Sequence, residues 1–480
     1  MRNVLFVCLA LVACGDGDDN GTGELADAPI APDGSSVDAP SELPPLEPVT
    51  LTVTKNGLPV PGVRAYFVNP DNSLAANVLT DDTGKASARV IEGGSVTALD
   101  PFDTDVDVHD LRTFAGVKPG DDLALTFSDD SNGGEELNVT VVVPVPVSGA
   151  SSYQILTTCG SGSISPALDL ADSESGSISL SGCANGLADF VVIASGDDER
   201  PPQALYHRGL AVSDGGEVHL EADGYGDLTT AEFNYTGLPS NAGNVRVLHT
   251  LSSDRGSFAS FDEQAGVVDG AATIQIEEPN LAGAGATGLI ETQVSMFGLH
   301  SMFDSGNGAT PFTVDASGVL LRDFFSFPTY NKTSKEMFWE EEIDGVEADF
   351  TFAQIRVDRF LDMAPGLVPA APPGSWTWSI SAPYREGKLA FPKLPTDQGD
   401  WAPALSDVVD IDTLTNVKLP GGYDAIRARV HDIGDRSDLV AAPTDRVVLV
   451  DVRRPAAVRQ TAVTGRKSGL SRGGFTLRTR

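Results

Sequence analysis

The chain has 480 residues, with 68 acidic against 32 basic side chains and a net charge of −36. That length allows about three or four domains, and the ordinary apolar content allows each a buried core. The charge repels phosphate backbones and so excludes nucleic acid as a partner class. The 50 glycines and 31 prolines suit many turns between short strands.

In chain order, Met1-Arg2-Asn3 precedes ten apolar residues, VLFVCLALVA (4–13). A membrane-spanning helix needs about 20 residues, so residues 1–13 read as a secretion signal. The run ends Leu11-Val12-Ala13-Cys14, which resembles the bacterial lipobox. The resemblance implies cleavage before Cys14 and a thioether-linked diacylglycerol on its sulfur, hence a membrane partner through a lipid anchor. Gly15 rather than Asp follows the cysteine, which by resemblance to enteric lipoproteins favours the outer membrane.

Residues 14–48 come next. Asp16, Asp18, Asn20, Gly21, Glu24 and Asp27 follow the spacing of an EF-hand loop. Such a loop needs a helix on each side, and the recurring prolines after Ala28 forbid one. With nine acids and no base over 15–48, the segment reads as a disordered, self-repelling acidic linker.

From Val49 the pattern changes to strands. VTLTVT (49–54) alternates with period two, and Asn56-Gly57 signals a turn. VRAYFV (63–68), LAANVLT (74–80), KASARVI (85–91) and SVTAL (95–99) follow, with TDDTGKA (80–86) as a tight turn. The stretch NGLPVPGVRAYFVNPD…LTDDTGKASARVIEGGSVTAL resembles carboxypeptidase regulatory-like and bacterial Ig-like (Big) modules. The resemblance implies a prealbumin-like or Ig-like β-sandwich over 49–127, in a structural or adhesive role, and carries no catalytic residues. Asp103, Asp105 and Asp107 alternate onto one strand face and, with Asp110, are weak candidates for calcium; the other reading is a solvated face.

A polar break at 128–136 precedes LNVTVVVPVPV (137–147), whose prolines suit an edge or a sheet switch. A second sandwich is expected over 137–223, with ADFVVIA (188–194) as a core strand, and a third over 228–317. Cys159 and Cys183 are the two cysteines left once Cys8 is cleaved away and Cys14 carries lipid. An even remainder in an exported chain predicts a disulfide.

Residues 318–452 form an aromatic-rich β domain that holds all four tryptophans. KTSKEMFWEEEI (332–343) reads equally as short helix or strand. Trp376 and Trp378 share one strand face, about 6.5–7 Å apart. They either fill a core or offer stacking faces to sugar rings. The segment 453–480 has eight bases and no acid, against 24 bases and 68 acids before it. It reads as a basic disordered tail.

HExxH and P-loop motifs are absent, and no two of the six histidines lie within five residues of each other. The fold class expected is all-β, as tandem sandwiches without a cofactor, calcium aside. The function expected is a non-catalytic, envelope-anchored binding, adhesion or scaffold protein with a surface protein or polysaccharide partner. The alternatives are a carbohydrate-binding protein using Trp376 and Trp378, and a surface hydrolase with its site in 318–452.

Overall fold

In a computed structural model, the described residues are 46–55, 57–99, 108–127, 136–143, 150–164, 174–181, 183–196, 202–220, 225–279, 287–306, 311–359, 374–395, 401–427 and 446–452. The signal segment, Cys14, nearly all of the acidic linker and the basic tail lie outside them. The protein is all-β, with one six-residue α-helix among the described residues.

The first strands are β1 (Val49–Lys55), β2 (Leu58–Pro59), β3 (Arg64–Val68), β4 (Leu74–Leu79), β5 (Lys85–Ala88), β6 (Gly94–Leu99), β7 (Val108–Val117) and β8 (Asp122–Phe127). In β1 the alternation is realised directly: Val49, Leu51 and Val53 are buried and the threonines between them half-buried. β1 pairs with β2 and β5 antiparallel and with β8 parallel, while β4-β3-β6-β7 form the facing layer. Leu51, Val53, Phe67, Phe114, Leu125 and Phe127 fill the space between them. The predicted turn carries the chain from one layer to the other. Asp81 Oδ1 accepts the backbone N–H groups of Thr83 (2.8 Å) and Lys85 (3.0 Å). Gly84 has φ +75°, and a Cβ there would lie 2.4 Å from Val53 O.

Next come β9 (Glu136–Val143), β10 (Ala150–Thr157), β11 (Gly160–Ile164), β12 (Glu174–Ser181), β13 (Leu187–Gly196), β14 (Gln203–Ala211) and β15 (Glu217–His219). They form one sheet in the order β15-β9-β12-β11-β10-β13-β14. β9 lies one strand in from the edge rather than at it, because the short β15 pairs along it. Cys159 and Cys183 form the predicted disulfide, with Cα atoms 5.0 Å apart.

The third group is β16 (Gly226–Thr236), β17 (Asn244–Ser253), β18 (Gly256–Gly266), β19 (Ala272–Pro279), β20 (Thr287–Ser295), β21 (Leu299–Ser305) and β22 (Phe312–Asp315). β16, β19 and β22 continue the sheet of β14, while β18-β17-β20-β21 belong to a second sheet. Phe233, Ile274, Val245, Val247 and Ile290 join one core cluster.

The last group is β23 (Thr329–Asn331), β24 (Glu336–Phe338), β25 (Phe350–Arg359), β26 (Gly374–Pro383), β27 (Lys388–Ala390), β28 (Val408–Lys418), α1 (Gly422–Arg427) and β29 (Val447–Val452). The ambiguous 332–343 stretch thus contains a strand, β24, entered through Lys335 at φ +59°. Twelve strands form one sheet, β18-β17-β20-β21-β29-β28-β25-β26-β7-β6-β3-β4. It runs across the module limits expected from the sequence. β26 pairs in parallel with β7, Trp378 opposite Leu111, and β29 pairs with β21, Leu299 opposite Asp451. Such pairing satisfies backbone groups that separate sandwiches would leave open along their edges.

Candidate functional site

The sequence Leu321-Arg322-Asp323-Phe324-Phe325-Ser326-Phe327 runs alongside the turn between β20 and β21, and the Asp323 carboxylate ties the two together. Asp323 is buried. Its Oδ1 accepts from Gly298 N and Phe324 N, each at 2.8 Å, and its Oδ2 from Phe297 N at 3.1 Å. His300 Nε2 lies 3.2 Å from Oδ1. The Asp323 carbonyl takes Glu342 N at 2.8 Å, and Phe325 N reaches Glu340 O at 2.7 Å. Three segments (296–300, 323–327 and 340–342) therefore meet at one acid. Glycine is required at 298: a Cβ there would lie 2.7 Å from both Asp323 Oδ1 and Val450 Cγ2.

A buried carboxylate that accepts several N–H groups fixes loop geometry, because each donor it releases would be left unsatisfied. What it fixes here is an aromatic surface. Among the described residues, three of the four most exposed phenylalanines lie on these segments: Phe325 (67%), Phe297 (49%) and Phe327 (43%). The rings of Phe297 and Phe327 touch, with centroids 5.1 Å apart. Ile343, two residues past Glu341, is 89% exposed. Glu340 and Asp344 are exposed and Glu342 half-buried on the adjoining segment. The nearby cation Arg322 is engaged by Glu347 (2.9 Å) and Glu386 (3.5 Å). The arrangement is an apolar face with acidic residues on the adjoining segment, of the kind that suits binding.

Trp376 and Trp378 do share a face, as their spacing predicts, but that face is the core. Both are 1% exposed. Arg359 lies 4.8 Å from the Trp376 ring centre and Trp401 meets it edge-on at 5.9 Å. Trp378 Nε1 donates to Thr113 Oγ1 at 2.9 Å, and its ring packs on Phe391 at 5.1 Å. The sugar-stacking reading is therefore corrected: β26 is an interior strand between β25 and β7, and neither indole has a face to offer.

Asp103, Asp105 and Asp107 lie outside the described residues. Asp110 is described, and its carboxylate accepts a hydrogen bond from the Thr377 hydroxyl. Among the described residues no group of three or more His, Cys, Asp or Glu side chains gathers as a metal ion needs. The pairs His249–Glu278, at 2.5 Å, and His300–Asp323 are both buried and present no proton to a substrate. The single histidine of 318–452, His431, lies outside the described residues. Two chance spacings also occur. Gly283, Gly285 and Gly288 match GxGxxG but lead into strand β20 rather than a helix. Gly469-Leu470-Ser471-Arg472-Gly473 matches GxSxG within the basic tail, where no apolar run precedes it as a strand should.

Sequence reasoning marked 323–330 as aromatic-rich but missed the Asp323 cluster. The signal was an acid set directly before two phenylalanines; its partners, 25 residues upstream, carry no mark of their own.

No protein-family model and no curated protein matches the chain. Among solved structures it is similar to the TIE protein of Bacillus anthracis, 11% identical over 56% of this chain and half (50%) of that one, at TM-score 0.14. It is also similar to the tip fimbrial protein Mfa3 of Porphyromonas gingivalis, 8% identical over 34% of this chain and 78% of that one, at TM-score 0.15. The major pilin subunit of Bacillus cereus is 10% identical over 56% and 99%, at TM-score 0.13. Likenesses at these scores carry no argument about role.

Proposed function

We propose that this protein is a non-catalytic lipoprotein of the bacterial envelope, anchored through Cys14 in the outer membrane, that binds a partner through its Phe297–Phe327 face. The observation that carries the binding role is the exposed phenylalanine pair, held by a buried acid in a fold that buries its tryptophans. Aromatic rings on a rigid base lose little entropy on association. The acidic margin favours a protein surface that offers apolar and basic side chains over a neutral polysaccharide. Export is supported by the lipobox resemblance and by the Cys159–Cys183 disulfide, since such bonds persist outside the reducing cytoplasm.

Two measurements test the reading. Cys14→Ala should move the protein from the membrane fraction to the soluble fraction; retention in the membrane would defeat the lipid anchor. Purified chain should co-sediment with isolated envelope fragments, and Phe297→Ser/Phe327→Ser should lose that binding. Equal sedimentation of the variant would remove the face from the account.

A further inference from the structure

We infer that the basic segment 453–480 docks on the Phe297–Phe327 face of its own chain. The inference deepens the proposed binding role and rests on the same face.

The first argument is position. Asp451 pairs with Leu299, so Val452 lies at the Phe297–Gly298 turn. A Cβ on Gly298 would sit 3.3 Å from Asp451 O. The last described residue of β29, Val452, therefore ends beside the phenylalanine pair. An extended chain covers about 3.3–3.6 Å per residue, so seven residues beyond Val452 are enough chain to cross the face.

The second argument is charge. The segment holds eight bases and no acid, whereas the 452 residues before it sum to −44. Glu340, Glu342 and Asp344 lie on the segment that adjoins the face, and Arg322, beside Asp323, is already held by Glu347 and Glu386. The third argument is chemistry. Guanidinium groups stack on aromatic rings and their stems cover apolar surface. Five of the eight bases come within 15 residues of Val452: Arg453, Arg454, Arg459, Arg466 and Lys467. Tethering sets the local concentration of the segment near the millimolar range, so modest contacts are enough. An acidic margin argues against anionic lipid or polymer as the occupant of this face.

The test is limited trypsin digestion of the full exported chain, with cleavage after Arg459 and Arg466 followed by mass spectrometry. Cleavage should be about tenfold slower in the wild type than in Phe297→Ser/Phe327→Ser, a difference of about 1.4 kcal/mol. The charge variant Glu340→Lys/Asp344→Lys should lose the same protection. Protection should be independent of protein concentration. Equal rates in wild type and both variants overturn the inference, and protection that grows with concentration reassigns the occupant to a second copy and overturns it equally. The outcome is separable from the envelope-sedimentation assay. Equal cleavage rates with envelope binding lost in the Phe297→Ser/Phe327→Ser variant remove only the tail, and protection lost in that variant with its envelope binding unchanged removes only the external partner.

Discussion

The Arg359 guanidinium lies 4.8 Å from the centre of the Trp376 ring and is held there by Asp407. Its Nε and Nη2 donate to the two carboxylate oxygens at 3.0 and 2.7 Å, and Asp407 Oδ2 also accepts Ala404 N at 2.7 Å. Both partners are buried. Asp407→Ala leaves an uncompensated buried cation and should cost about 3–5 kcal/mol. Urea unfolding should show it as a lower midpoint. Asp407→Leu combined with Arg359→Met should recover most of the loss; no recovery would mean that the pair does more than balance charge.

Arg427 links α1 to the first sandwich in a similar way. It reaches Asp121 at 2.8 Å, Gly116 O at 2.7 Å and Asp424 at 2.7 Å, and it is itself buried. The adjacent Tyr423 hydroxyl lies 2.7 Å from Ser381 O and 2.9 Å from Ala115 O, and burial drives its pKa far up. Arg427→Met should destabilise the chain by about 2–4 kcal/mol, because Asp121 loses its cation and Gly116 O its donor. Hydrogen exchange should speed up at Ala115 to Val117 before it does in β17 or β20.

Cys159 and Cys183 are 24 positions apart. Closing a loop of that size stabilises a protein by about 3–4 kcal/mol in the chain-entropy model. The double variant Cys159→Ala/Cys183→Ala should unfold at correspondingly lower urea. A reductant should bring the wild type to the same midpoint and leave the variant unchanged.

The Asp81 turn gives an acid-sensitive element. The Thr83 hydroxyl, then the backbone N–H groups of Lys85 and Thr83, hold its pKa below the ordinary 3.8. A lowered folded pKa contributes stability above pH 3.8, lost as pH falls through the folded value. Melting temperature should therefore drop more steeply below about pH 4 in the wild type than in Asp81→Asn, which keeps an acceptor but no titrating proton. Asp304 has the opposite sign: burial raises its pKa against the pull of Arg446, so its own contribution improves on acidification.

At the phenylalanine face, Gly298→Ala must displace both the Asp323 carboxylate and the Val450 side chain. A cost of about 1–3 kcal/mol is expected, as for other overpacked sites. Asp323→Ala should have a local signature as well, with faster amide exchange at Phe297, Gly298 and Phe324, the three N–H groups it now accepts. Unchanged exchange at all three would show that the acid does not hold the loops.

The sequence by itself determined the all-β class, the placement of β1 and β26, the turn at Asp81–Lys85 and the Cys159–Cys183 pair. Each of these is local, or is fixed by counting. A period of two states which residues share a face, and Asp-x-x-Gly states where the chain reverses. Only the tertiary structure decided which strand edges meet: β7 with β26, and β21 with β29. Backbone edges are chemically alike, so nothing in a strand's own residues names its neighbour. That pairing buried Trp376 and Trp378, whose spacing fits a core and a sugar platform equally. It also brought Asp323 to Gly298 and set the last strand beside Phe297, because a surface built from three distant segments exists only once the sheet between them has closed.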